Sequence, residues 1–154
     1  MSTNPVSQSD YADLLGNVSR AGVYHLPFAL HGKYEELMAA ATGLGYAAFR
    51  IDLSEARNKQ DLLATIGKAM GFPDWFGDNL DALADCLADL EWCPAEGYLV
   101  LLEHCDQLHA NAGDDLIAAL QIFAAAVNEW RERDIAFWCL IDMHADGIAW
   151  LPGL

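Results

Sequence analysis

The middle of this sequence has no positive charge. Of its 154 residues only 8 are Lys or Arg, against 23 Asp or Glu, and the formal net charge is −15. None of the 8 lies between Ala69 and Trp130, whereas acids continue throughout that stretch. Nucleic acid and anionic membrane surfaces would repel such a chain, so the charge argues against both as direct partners. It favours a cationic partner, or serves solubility alone.

Signatures of several other classes of protein are also missing. There is no Cys-x-x-Cys or His-x-x-x-His spacing, so we expect no metal and no cofactor. Without a nucleophile-elbow motif or a phosphate-binding glycine loop, we expect no catalytic residue and no enzyme. The first 16 residues do not read as a signal peptide and no apolar run could span a bilayer, which predicts a cytoplasmic protein with reduced cysteines.

Apolar segments typical of strands alternate with amphipathic segments typical of helices. This order predicts an α/β fold with a small parallel three-stranded sheet, a possible fourth strand near Val23–Leu26, and about four to five helices. The three main strands are expected at Tyr46–Leu53, Tyr98–Glu103 and Ile135–Ile141. We predict a flexible tail over residues 1–18, in which Asp10–Asn17 could form a helical turn with Tyr11, Leu14 and Leu15 packing inward. A single domain is expected over 19–154, of which 19–45 extend a core at 46–141.

One helix, inside the stretch Phe72–Trp92, carries two different faces. An apolar stripe at helical spacing is formed by Leu80, Leu83, Leu87 and Leu90, and an acidic stripe by Asp78, Asp81, Asp85 and Asp89. Like charges four residues apart destabilise a helix by about 0.2–0.5 kcal/mol per pair. Local stability does not favour this pattern, and Asp78 is expected to cap the helix.

Two readings of the acidic stripe are open. It could be an ordinary solvated surface, which is the usual role of a run of charge. However, Trp75 and Phe76 precede it in a short connection, and aromatic side chains beside a patch of one charge are typical of protein-binding hot spots. Together, the acidic stripe and the aromatic pair before it favour a protein-binding surface.

Fifteen consecutive residues, Pro73 to Leu87, resemble the signature of the barstar family, the intracellular inhibitors of the ribonuclease barnase. That signature is an aromatic pair, Gly, any residue, Asn, an apolar residue, Asp-Ala-Leu, any residue, Asp-Cys-Leu, and here it reads from Trp75 to Leu87. The resemblance covers roughly Tyr46 to Ile141. It implies a 1:1 complex in which a helix and the connection before it block the active site of a basic ribonuclease.

The resemblance also implies roles for single residues. The dominant acid of the family corresponds to Asp85, the second helix acid to Asp81 and the aromatic of the connection to Trp75, while Gly77 and Asn79 form the turn. The predicted partner-binding set is Trp75, Phe76, Gly77, Asp78, Asn79, Asp81, Ala84, Asp85 and Asp89.

Two contact positions of the family are lost, and the aromatic of the connection is Trp75 where the family inhibitor has Tyr. Ala84 stands where the inhibitor has Trp, and Ala125 stands where it has a Glu on the later long helix. These departures concern the identity of the target more than the mode of binding. The predicted function is an immunity or antitoxin-type ribonuclease inhibitor, and the alternative is a module of the same fold that binds a basic partner other than a nuclease.

Overall fold

The computed structural model describes residues 8–26, 32–73, 76, 77 and 79–143. Its five α-helices are α1 (Gln8–Leu15), α2 (Tyr34–Gly43), α3 (Lys59–Met70), α4 (Leu80–Asp89) and α5 (Asp106–Glu132). The four strands are β1 (Val23–His25), β2 (Ala47–Asp52), β3 (Gly97–Glu103) and β4 (Ala136–Ile141), and a 3-10 turn spans Val18–Arg20. The predicted α/β class is confirmed.

The four strands form one parallel sheet in the order β1-β4-β3-β2. Val23 of β1 pairs with Cys139 of β4, and Ala47 of β2 pairs with Tyr98 of β3. The N-terminal extension therefore supplies the possible fourth strand, which lies at one edge of the sheet.

Helices cover both faces of the sheet, as is usual for parallel sheets. Alternate side chains of β4 point to opposite layers, because successive residues of a strand face opposite ways. Phe137 and Cys139 belong to the larger core with α3, α4 and α5, whereas Trp138 and Leu140 belong to the core under α1 and α2. The candidate binding helix, α4, lies in the first of these layers.

The N-terminal extension packs on the family-like core. Tyr11 and Leu15 of α1 are buried, and the Leu15 carbonyl accepts hydrogen bonds from Tyr46 Oη at 2.8 Å and Trp138 Nε1 at 3.0 Å. Helix α1 overlaps the helical turn predicted at Asp10–Asn17, although this stretch was assigned to the flexible tail. The apolar spacing of Tyr11 and Leu15 places both in the core beside the sheet. Residues 1–7 lie outside the described residues.

A polar cluster at the carboxyl ends of the strands connects α2 to the sheet. The Arg50 guanidinium donates two hydrogen bonds, at 2.8 and 2.9 Å, to the buried Glu103 carboxylate, and lies 5.4 Å from the centre of the Tyr34 ring. Burial, together with a hydrogen bond to Asp142, raises the pKa of the Tyr34 hydroxyl. These contacts join the first residue of α2 to strands β2 and β3.

The long helix α5 is interrupted at Ala112, whose backbone (φ −146°, ψ 50°) is not helical. Length and composition alone would let α5 cross a membrane. Its Leu116, Leu120 and Phe123 are nevertheless fully buried in the core against the sheet.

Candidate functional site

Helix α4 begins at Asn79. The Asn79 backbone is extended (φ −133°, ψ 165°), and its side-chain Oδ1 accepts the Ala82 N–H at 2.7 Å, as an N-cap does. Its Nδ2 lies 3.4 Å from the Gly77 carbonyl and holds the preceding turn. The predicted cap was Asp78, one residue too early, and Asp78 itself lies outside the described residues. Asn79 therefore has a structural role in the candidate site.

One side of α4 is fixed in the core. Ala82, Leu83, Cys86 and Leu87 are buried, and the last three have no exposed surface. Fully burying a leucine side chain contributes about 1.5–3 kcal/mol. This burial holds the helix in place although its charges repel each other.

Two side chains, one from α5 and one from Arg133 directly after it, bind carbonyls in the last turn of α4. Trp130 Nε1 donates to the Leu87 carbonyl at 2.7 Å, and Arg133 Nη1 donates to the Ala88 carbonyl at 3.3 Å. The helix ends at Leu90, a buried residue in the left-handed conformation (φ 51°). Carbonyls at a helix C-terminus have no partner inside the helix, and these donors supply partners for two of them.

The opposite side of α4 forms the acidic face, which we define as Asp81, Ala84, Asp85, Ala88 and Asp89. The first three are exposed and the last two are partly buried. Within the described part of the chain, no hydrogen bond or ion pair to protein reaches the carboxylates of Asp81, Asp85 and Asp89. Side chains three or four residues apart on a helix lie about 5–6 Å apart at Cβ, so the acidic face presents a row of closely spaced carboxylates.

Asp89 stands at the C-terminal end of α4, where the helix dipole disfavours a negative charge. The Arg133 guanidinium, bound to the Ala88 carbonyl and stacked 4.5 Å from the centre of the Trp130 ring, brings a positive charge to that turn. Sequence reasoning missed this compensation because Arg133 is 44 residues from Asp89 in the chain. A cation that is distant in the sequence therefore lies at the same end of α4 as Asp89.

The surroundings of the thiol on α4 favour its protonated form. Burial, followed by the charges of Asp85 and Asp89, raises the pKa of the Cys86 thiol to about 11. Burial also raises the pKa values of Cys105 and Cys139, and all four cysteines are free. Reactive cysteines have lowered pKa values, so none of these three buried thiols is suited to nucleophilic catalysis.

The connection between α3 and α4 holds the remaining predicted residues. Phe76 is partly buried and packs against α3, while Gly77 is exposed. Trp75 and Asp78 lie outside the described residues. The structure thus brings Gly77, Asn79 and the acidic face together at one end of α3, with the Phe76 ring turned towards the core.

The two departures from the family pattern are both at the surface. Ala84 lies within the acidic face, and Ala125 is exposed on α5. In residues 8–26, 32–73, 76–77 and 79–143, no group of three or more His, Cys, Asp or Glu side chains is placed to hold a metal ion. What the acidic face can do chemically is bind cationic groups.

Residues 46–142 match the profile of a protein family described as "Barstar (barnase inhibitor)". The chain belongs to the barstar family. The matched region runs from the residue before β2 to the residue after β4, and so includes the acidic face and the connection before it. The matched family is described as an inhibitor, and the match gives no indication of enzyme activity.

Solved structures show a wider likeness of fold. Two structures of the ORC2 protein of Aeropyrum pernix, one described as ADPNP-ADP complexes and one as the ADP form, align with TM-scores of 0.57 and 0.58. Each is 18% identical to this barstar-family chain and covers 88% of it, but the alignment spans only 39% of the ORC2 chain. At this identity the likeness shows a shared fold alone.

Proposed function

We propose that this protein inhibits a basic ribonuclease in a 1:1 complex, by covering the active site of the enzyme with the acidic face of α4 and the connection before it. A ribonuclease must attract the phosphates of RNA, so its active site is cationic. Carboxylates held in a row on a rigid helix are complementary to such a site. Inhibition of this kind needs no catalysis by the inhibitor.

The observation that carries this proposal is the position of three carboxylates on a helix whose other side is fully buried. Asp81, Asp85 and Asp89 repel one another and have no protein partner among the described residues. A binding partner with Lys or Arg side chains would remove that repulsion. The absence of Lys and Arg from residues 69–130 extends the negative field around the helix, which would speed association.

The second candidate is a barstar-fold module whose basic partner is not a nuclease. The exposed Ala84 and Ala125 favour it, because the family resemblance places larger contact residues at both positions. Relative to the family inhibitor, alanine at these two positions removes an aromatic contact and a carboxylate. This changes which partner surface the protein fits.

The biological setting that we propose is protection of a cell from its own ribonuclease toxin, as an immunity protein or antitoxin. The cytoplasm is the compartment that suits this role, and four free cysteines agree with a reducing environment.

A binding experiment with basic microbial ribonucleases tests the proposal. Catalytically inactive forms of several barnase-type ribonucleases are immobilised, and the full-length protein is passed over each at low salt. We expect capture by at least one, at a 1:1 ratio by light scattering of the eluted complex. Soluble RNA should compete with this capture, because both ligands need the same cationic site.

Two results would separate the candidates. Capture that RNA competes away supports the inhibitor. No capture by any such ribonuclease, together with stable binding to a basic protein that has no nuclease activity, supports the second candidate and contradicts the first. The double variant Asp81→Ala/Asp85→Ala serves as the control, since it should lose binding in either case.

A further inference from the structure

Gly67 lies in the interior of α3, six residues after Asp61 and three before the helix ends at Met70. Glycine destabilises a helix interior relative to alanine, because it loses more backbone freedom on folding. Gly67 is buried and its backbone is helical, so the helix itself does not require a glycine here. The reason for it must lie in what packs on it.

The ring of Phe76 packs directly on the α3 backbone at this glycine. A Cβ atom at position 67 would lie 2.8 Å from Phe76 Cε2 and 2.9 Å from Cδ2, with Phe72 Cδ2 at 3.4 Å. Carbon atoms in contact are normally about 3.5–4.0 Å apart. Alanine at position 67 would therefore force the Phe76 ring to move.

The Phe76 ring has other close neighbours. It meets the ring of Phe72 edge to face, with centroids 4.9 Å apart, and Phe72 in turn meets Trp92 at 5.8 Å. Trp92 Nε1 lies 3.5 Å from the Met70 carbonyl at the end of α3. A shift of Phe76 would disturb this three-ring cluster.

The backbone of the same connection is fixed by two hydrogen bonds. Phe72 N–H donates to the Gly67 carbonyl, and Phe76 N–H donates to the Pro73 carbonyl, both at 2.9 Å. The first bond joins the connection to α3, and the second closes the turn that leads to Gly77 and the Asn79 cap. These bonds hold Phe76 three residues before the Asn79 cap at the start of α4.

We propose that Gly67 is a positioning residue for the partner-binding surface. Its lack of a side chain admits the Phe76 ring, which holds the connection and the start of α4 in the conformation that binds. This inference rests on the proposed function for its binding consequence. Its physical reason is that a preorganised surface loses less conformational entropy when it binds.

The experiment uses the full-length protein and the variant Gly67→Ala. In the free protein we expect amide hydrogen exchange over residues 72–79 to speed up about tenfold or more, because this connection opens locally, while β3 and α5 stay protected. In complex with a catalytically inactive barnase-type ribonuclease, we expect dissociation to be about tenfold faster, since related complexes differ mainly in their dissociation rates.

Two further variants make the result specific. Gly43→Ala is the matched control, because a Cβ there meets nothing within 4 Å, and it should change neither measurement. Phe76→Leu removes the ring but keeps Gly67, and should speed exchange in the same residues even if Gly67→Ala does not fold. In the double variant Gly67→Ala/Phe76→Leu, the increase in exchange should be smaller than the sum of the two single increases, because both substitutions remove the same contact.

The inference would be overturned if local exchange and dissociation in Gly67→Ala matched the wild type. If Gly67→Ala does not fold, the same result in Phe76→Leu would overturn it. So would an increase in exchange spread evenly over the whole chain, which would mean a general loss of stability. Failure of the proposed function looks different, because the wild-type protein would then bind no ribonuclease at all.

Discussion

Replacing Asp85 by Asn should make the free protein more stable. Asp85 is exposed and repels both Asp81 and Asp89, its neighbours at four residues on either side. Each like-charge pair costs about 0.2–0.5 kcal/mol, so neutralising Asp85 removes two pairs and should raise the free energy of unfolding by about 0.4–1 kcal/mol. For a domain of this size that corresponds to a rise in Tm of about 1–4 °C.

The same substitution should weaken binding to the ribonuclease. Loss of one partner of a buried charge pair costs about 2–5 kcal/mol, a range measured partly on a ribonuclease–inhibitor pair of this family. Even the lower end is about a thirtyfold rise in Kd. Urea unfolding followed by circular dichroism gives the stability, and surface plasmon resonance or titration calorimetry gives the affinity.

Asp61→Asn is the matched control, on the neighbouring helix. The Asp61 carboxylate accepts the Arg57 N–H at 3.2 Å and lies in the first turn of α3, where a negative charge is favourable. We expect this variant to lose stability and to keep its affinity, the opposite of Asp85→Asn on both measurements. If Asp85→Asn is less stable than the wild type, or binds equally well, the acidic face is only a solvated surface and the reasoning is refuted.

Three further predictions concern the caps, the salt dependence and the thiols. Asn79→Ala and Asn58→Ala each remove a side-chain cap and should each cost about 0.5–2 kcal/mol in urea unfolding, but only Asn79→Ala should also weaken binding. Association with the ribonuclease should slow steeply between low and physiological salt in stopped-flow experiments, because screening shortens the reach of the charges, and a salt-independent rate would contradict steering. Burial raises the pKa of Cys86 from 9.0 to about 11 in the folded protein, so the contribution of this thiol to stability should be constant below pH 9 and be lost between pH 9 and about 11; the fall in the free energy of unfolding over that range should be smaller in Cys86→Ala.

Much of the fold was predictable because its signals are local. The buried strands are continuous apolar runs, and the amphipathic spacing of residues 57–70 predicts α3 to within two residues of its observed start, Lys59. The helical turn at Asp10–Asn17 was predicted, but its extent was not, because the apolar residues Tyr11, Leu14 and Leu15 make a short pattern. Tyr46 and Trp138, which fix α1 through the Leu15 carbonyl, are distant in sequence.

The candidate site was predictable in its charge but not in its contacts. The spacing of Asp81, Asp85 and Asp89 alone identifies the acidic face. Arg133 and Gly67 were missed, because their partners come from other helices and spacing along one helix carries no information about them. A glycine inside an otherwise regular helical pattern was the one sequence signal that could have identified Gly67.

The central claim, that the acidic face covers the active site of a ribonuclease, is tested most directly by an inhibition titration. The cleavage of a fluorogenic RNA by the ribonuclease that the protein captures is followed as the protein is added. We expect cleavage to fall to zero at one protein per enzyme, with competition by substrate, and to stay near its full rate with Asp81→Ala/Asp85→Ala. Full cleavage by an enzyme saturated with the wild-type protein, or equal inhibition by the double variant, would contradict the account.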